Sequence, residues 1–153
     1  MTRKLALFAL ALWAVTALGL GLVFVRGNTQ PGSDGRTAVL LAPAERDFVL
    51  GEMRHVLGAV QAITEALAKG DTAQAARAAR AAGGDAVAGV PPSLLAKLPL
   101  DFKQAGLAMH AGFDGIADAA DKGADKDALT QQLAEQLNLC LGCHQSFRID
   151  PAR

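Results

Sequence analysis

Tyrosine is missing from this chain of 153 residues, and one tryptophan with six phenylalanines brings the aromatic share to only 5%. The alternation of β-branched or aromatic with polar residues that marks a half-buried strand does not appear, and Ala, Leu, Gly and charged residues dominate. The composition therefore predicts an all-α domain. An excess of one charge is missing as well, since fifteen Lys and Arg balance fifteen Asp and Glu. Such a balance offers no basic footprint for nucleic acid. Cysteine is scarce, with two residues in all, and no repeat of about 20–50 residues runs through the sequence.

Both cysteines fall in one run, Cys140-Leu141-Gly142-Cys143-His144. A structural zinc site needs about four protein ligands; there is no third cysteine, and the other histidines, His55 and His110, stand alone. A thioredoxin-like pair would open a helix after a strand, whereas this pair lies near the end of a helical segment. A disulfide between residues three apart would close a small loop and constrain the unfolded chain little. The C-x-x-C-H spacing matches the attachment site of one covalent haem c. On a helix, Cys140 and Cys143 lie one turn apart on one side, matching the span between two porphyrin vinyl groups. His144 follows directly and is placed as the proximal iron ligand.

Residues 1–26 are distinct. Arg3 and Lys4 precede an apolar run from Leu5 to Val25, which at 1.5 Å per residue spans roughly 31 Å, the thickness of a bilayer core. A secretory signal has a shorter core, about 7–15 residues, and a small-residue cleavage site. Leu22-Val23-Phe24-Val25-Arg26 offers no such site, so the expectation is an uncleaved anchor, with signal removal and a soluble periplasmic product as the alternative. Arg3 and Lys4 stay cytoplasmic in that orientation, which places the rest on the periplasmic side of a bacterial inner membrane. Residues 27–43 are rich in Gly, Pro, Ser and polar residues and read as a flexible linker. Residues 44–153 form the predicted haem domain.

Four helices follow from periodicity and punctuation. The first, 44–69, carries an apolar stripe of Val49, Met53, Val56, Val60, Ile63 and Leu67 and ends at Gly70. An Ala-rich helix spans 72–82. A connection with Pro91, Pro92 and Pro99 follows, hostile to helix continuation. The third helix starts at Asp101, with Phe102, Met109, Phe113 and Ile116 on one face. The fourth spans 126–148, with Leu129, Leu133, Leu137, Cys140, His144 and Phe147 as its inner stripe. Short connections predict an antiparallel up-down-up-down four-helix bundle. In that topology the early part of the first helix meets the late part of the fourth, which brings Met53 to the level of His144. A thioether there would be a distal iron ligand, although methionine on an apolar stripe is ordinarily core filling. His55 points about 200° away from Met53 around the same helix. His110 flanks the third helix's stripe and is expected at the edge of the haem pocket. Arg148, four residues after His144, lies on nearly the same helical face and is a candidate partner for a haem propionate.

These residues resemble the class II c-type cytochromes, cytochrome c-prime and its low-spin relatives. The likeness rests on Cys140, Cys143 and His144, on the Phe147-Arg148 ending, and on Glu52-Met53-Arg54-His55-Val56-Leu57 with the Ala-Lys-Gly stop at 68–70. It covers roughly residues 44–150. In low-spin members the early methionine is the sixth iron ligand; in high-spin members an apolar residue stands there and the iron is five-coordinate. The resemblance thus implies electron transfer with membrane or periplasmic redox proteins, or alternatively binding of nitric oxide or carbon monoxide. It also implies that homodimers form through the first two helices, which the Ala-rich second helix permits. No nucleophile or general-base constellation appears, so no enzyme is expected. The membrane anchor departs from most members of the family.

Overall fold

Short polar residues and glycines set where the helices start and stop. The computed structural model describes residues 2–152. Its helices are α1 (Thr2–Arg26), α2 (Pro43–Ala68), α3 (Thr72–Ala81), α4 (Pro92–Lys97), α5 (Leu100–Asp121) and α6 (Lys126–Ser146). Pro43 sits in the first turn of α2, where its missing N–H removes no helical bond, and Glu45 accepts from the Ala42 N–H at 2.9 Å. Gly70 ends α2 in the left-handed region, φ +71°. Asp71 caps α3 by accepting from the Gln74 N–H at 2.8 Å, and Asp125 caps α6 by accepting from the N–H groups of Asp127 and Ala128. The starts of α2, α3, α5 and α6, and the ends of α2, α3 and α6, fall within two residues of expectation. The short α4 was not foreseen: Pro92 starts a helix there instead of forbidding one, because it occupies the first turn.

The fold is mostly helical but not all-α. Residues 27–43, expected as a flexible linker, contain β1 (Thr29–Pro31) and β2 (Thr37–Leu41), and β3 (Phe147–Pro151) follows α6 without a break. β1 pairs antiparallel with β2, and β2 pairs parallel with β3, Thr37 opposite Phe147 and Leu41 opposite Pro151. Thr37-Ala38-Val39-Leu40-Leu41 is an apolar run whose Ala38, Val39 and Leu41 are fully buried. The surrounding Gly and Pro make the turn between strands, with the Gly32 N–H donating to the Arg36 carbonyl at 2.7 Å.

Helix α3 packs between α2 and α5, and α6 packs on α5 and more sparingly on α2. The buried alanines of α3, Ala75, Ala76 and Ala79, let it approach closely. The main core joins Ile63, Phe113, Ile116 and Leu129, all nearly or fully buried. The expected stripe of α2 is buried at Val49, Val56, Ile63 and Leu67 and half-buried at Met53 and Val60. That of α6 holds only through Leu133. Gln136 then takes the buried position, its Nε2 donating to the Met109 carbonyl at 2.6 Å, while Leu137 is 37% exposed. A second cluster gathers Val39, Leu41, Val49, Leu94, Leu98 and Phe102, with Met53, Cys143 and Phe147 packed against it. This sheet-side cluster is where the candidate site lies.

Candidate functional site

The cavity at the sheet end is built from four elements. Helix α6 contributes Cys143 and His144, α2 contributes Leu50 and Met53, and α5 contributes Phe102. Strand β3 closes it with Phe147, Arg148 and Ile149, and Arg36 enters from the β1–β2 turn. The cavity volume is about 160 Å³, and one side is open to solvent. Phe102 and Phe147 meet edge-to-face, ring centroids 5.4 Å apart at 77°, which fixes β3 against α5.

Met53, Cys143, His144 and Arg148 therefore line one cavity, although they come from opposite ends of the domain sequence. The surroundings of some differ from expectation. The end of α6 is more open than the inner-stripe reading holds: Cys140 and Cys143 are half-buried, His144 is exposed, and Leu141 is 58% exposed. Beyond the switch at Gln136 no residue of α6 is buried. Arg148 is not on the helix, which stops at Ser146, but on β3. Its Nε donates to Asp150 at 2.9 Å and its Nη1 to Asp34 at 3.4 Å. Asp34 in turn accepts from Arg36 at 2.7 Å. The Arg36 guanidinium donates to the carbonyls of His144 at 3.2 Å and Phe147 at 3.4 Å, satisfying backbone acceptors at the end of α6. This Asp34–Arg36 pair was missed in the sequence because it lies in the supposed linker. The one signal for it was the apolar Thr37–Leu41 run beside it.

His55 is exposed, as its helical position requires, with its ring near the Ala81 carbonyl at 3.2 Å. His110 is not at the cavity edge. It is 5% exposed, and its Nδ1 lies 2.7 Å from the Ala82 carbonyl, between α5 and the end of α3.

Burial pushes the Cys140 and Cys143 thiols above the ordinary cysteine range. Both are protonated at neutral pH, the opposite of the activated thiolate that a disulfide-exchange pair requires. Among the described residues, no three His, Cys, Asp or Glu side chains converge to hold a metal ion. The donors are two thiols one turn apart on α6, the exposed His144 imidazole beside them, and the Met53 thioether in the same cavity lining as Cys143 and His144, a set that would suit a metal carried within a larger group. Leu50, Phe102, Phe147 and Ile149 give the cavity apolar walls around Met53, Cys143 and His144, whereas Cys140 lies outside its lining. The cavity is smaller than the roughly 300–1,000 Å³ usual for a ligand pocket, so a porphyrin held at the two sulfurs would keep part of its surface outside it. Comparison with protein-family models, curated proteins and solved structures finds no match to this chain.

Proposed function

We propose that this chain is a c-type cytochrome with one covalent haem, carrying electrons on the periplasmic side of a bacterial inner membrane and anchored there by α1. In this reading α2, α3, α5 and α6 are the four helices of an antiparallel bundle of the class II cytochrome kind. Bound haem iron supplies a one-electron couple. Cys140 and Cys143 would hold the group through thioether sulfurs, and the His144 imidazole would be the proximal ligand. Arg36 steadies the backbone carbonyl of His144, so the residue that bears the imidazole is held from the β1–β2 turn. Phe102 and Phe147 keep water from the inner wall. Arg148 lines the cavity with its charge offset by Asp150 and Asp34, so a haem propionate there would compete with those carboxylates for its N–H donors. The partners are membrane or periplasmic redox proteins, and the chain is a carrier, not an enzyme.

The observation that carries this reading is the convergence of Cys143, His144 and Met53 on one apolar cavity. A second reading, a five-coordinate protein that binds nitric oxide or carbon monoxide, draws on the apolar cluster around Met53, which accounts for that side chain as packing alone. The test is expression of the full chain with c-type maturation machinery, followed by intact mass and a haem stain after denaturing electrophoresis. A mass raised by one haem, lost in Cys140→Ser with Cys143→Ser, is expected; a colourless chain of unmodified mass overturns the proposal. The visible spectrum then divides the two readings. Low-spin bands that become high-spin in Met53→Ala identify a sulfur ligand, while a high-spin parent that binds carbon monoxide promptly identifies the gas-binding form.

A further inference from the structure

The junction between α1 and the rest of the chain is bonded, not loose. The Phe24 carbonyl, among those left open at the end of α1, accepts from the Lys103 ammonium of α5 at 2.7 Å. The same ammonium lies 3.4 Å from the centroid of the Phe24 ring and donates to the Leu95 carbonyl at 3.3 Å. Gly27 stops α1 with φ +64°, and its Cα lies so close to the backbone of Lys97–Pro99 that a Cβ would fall 2.5 Å from the Lys97 carbonyl oxygen. Asn28 donates from its backbone N–H to the Lys97 carbonyl at 2.7 Å and from its side chain to the Leu40 carbonyl at 2.9 Å. No free linker remains between helix and domain.

Depth follows from the same contacts. Ala96 of α4 shares a surface cleft with Leu20, Gly21, Val23 and Phe24. Leu20 lies six residues before the end of α1 at Arg26, about 9 Å along the axis at 1.5 Å per residue. An interfacial helix buries its apolar face about 5–10 Å into the boundary between headgroups and acyl chains. Leu94 of α4 is buried in the domain, while its neighbour Leu95 is 39% exposed.

We propose that α4 lies in the lipid interface of the bilayer that α1 crosses, and that the Lys103–Phe24–Gly27 bracket fixes the domain in that pose. The occupant of this face is lipid, because the face is continuous with the apolar surface of α1, whose Arg3–Arg26 stretch contains an 18-residue window of mean hydropathy 2.3, none of it buried. Phe102, a wall of the candidate site, is the chain neighbour of Lys103, so the cavity belongs to the membrane-facing end of the fold. The inference rests on α1 spanning the membrane and is independent of the haem assignment.

The test uses the full chain in vesicles of phosphatidylcholine and phosphatidylglycerol, with and without bromine on the upper acyl carbons. Trp13, the single tryptophan, is replaced by Phe, and a reporter is placed by Leu95→Trp or, at the far end of the fold on α6, by Gln131→Trp. Comparing the two lipids for one protein cancels quenching from any other group. Brominated lipid lowers Leu95→Trp emission about twofold and leaves Gln131→Trp unchanged. Lys103→Met lowers the quenching at position 95, and Lys103→Arg restores it. Equal emission in both lipids for Leu95→Trp, with the chain retained in the membrane, overturns the interfacial pose alone. A mature chain whose mass lacks α1, or one extracted by alkaline carbonate, overturns the pose and the anchor together.

Discussion

Leu41→Ala separates a paired strand from a flexible linker. Leu41 is fully buried beside Leu94, Leu98 and Phe102, and its carbonyl accepts from the Ala152 N–H at 2.9 Å. Truncating a buried leucine costs about 2–5 kcal/mol, depending on how far the surroundings collapse into the space. Here the site is the end of a small sheet with Pro151 opposite, so partial collapse brings the cost to about 3 kcal/mol. With a urea slope of about 2 kcal/mol per molar, the unfolding midpoint falls by about 1.5 M. A residue in a solvated tether would change stability by no more than about 0.5 kcal/mol, or about 0.25 M. The assay is urea unfolding of the detergent-solubilised chain followed by helical circular dichroism. Hydrogen exchange of residues 147–151 shows whether the sheet opens alone or with the helices. A midpoint within about 0.25 M of the parent, with unchanged exchange in β3, refutes the reasoning.

The Asp34 carboxyl is held down at about 2, against 3.8 for a free aspartate, foremost by the hydrogen bond from Arg36. Its contribution is complete above about pH 4 and is lost as the pH falls through about 2; a carboxyl NMR titration should show that midpoint, returning toward the ordinary range in Arg36→Gln. Gly112→Ala drives a Cβ into the Gln136 side-chain amide, with a cost of about 1–3 kcal/mol. Thermal unfolding measures that cost, and the cycle with Gln136→Ala should show coupling between the two positions.

Helix α2 was legible because its apolar stripe is long, its start carries Pro43 and Glu45, and Gly70 stops it. Those signals are local, whereas the placing of Met53 beside His144 in one cavity was expected only through an assumed antiparallel packing of the first and fourth helices. The Cys140–His144 spacing is visible without a fold, and the haem it suggests is the proposal tested above. The stripe of α6 misled beyond Leu133, because a hydrogen bond to the Met109 carbonyl draws Gln136 inward and leaves Leu137 outside. The sheet was hidden for a different reason. Thr37–Leu41 is a five-residue strand whose parallel partner is Phe147–Pro151, so no turn between them announces the pair. Arg36 and Asp34 were hidden with it, and Arg148 was assigned to a helix that ends two residues earlier.

The parallel pairing of β2 with β3 carries a consequence for assembly. One wall of the cavity is supplied by the five residues that leave α6, and they find their partner across the entire helical region, a closure that costs entropy before any contact rewards it. Cutting the chain after Ser146 would spare every helix and the whole Cys140–His144 run, yet strip the recess of Phe147, Arg148 and Ile149. Until this terminal stitch is made, the recess beside Cys143 and His144 lacks one of its walls.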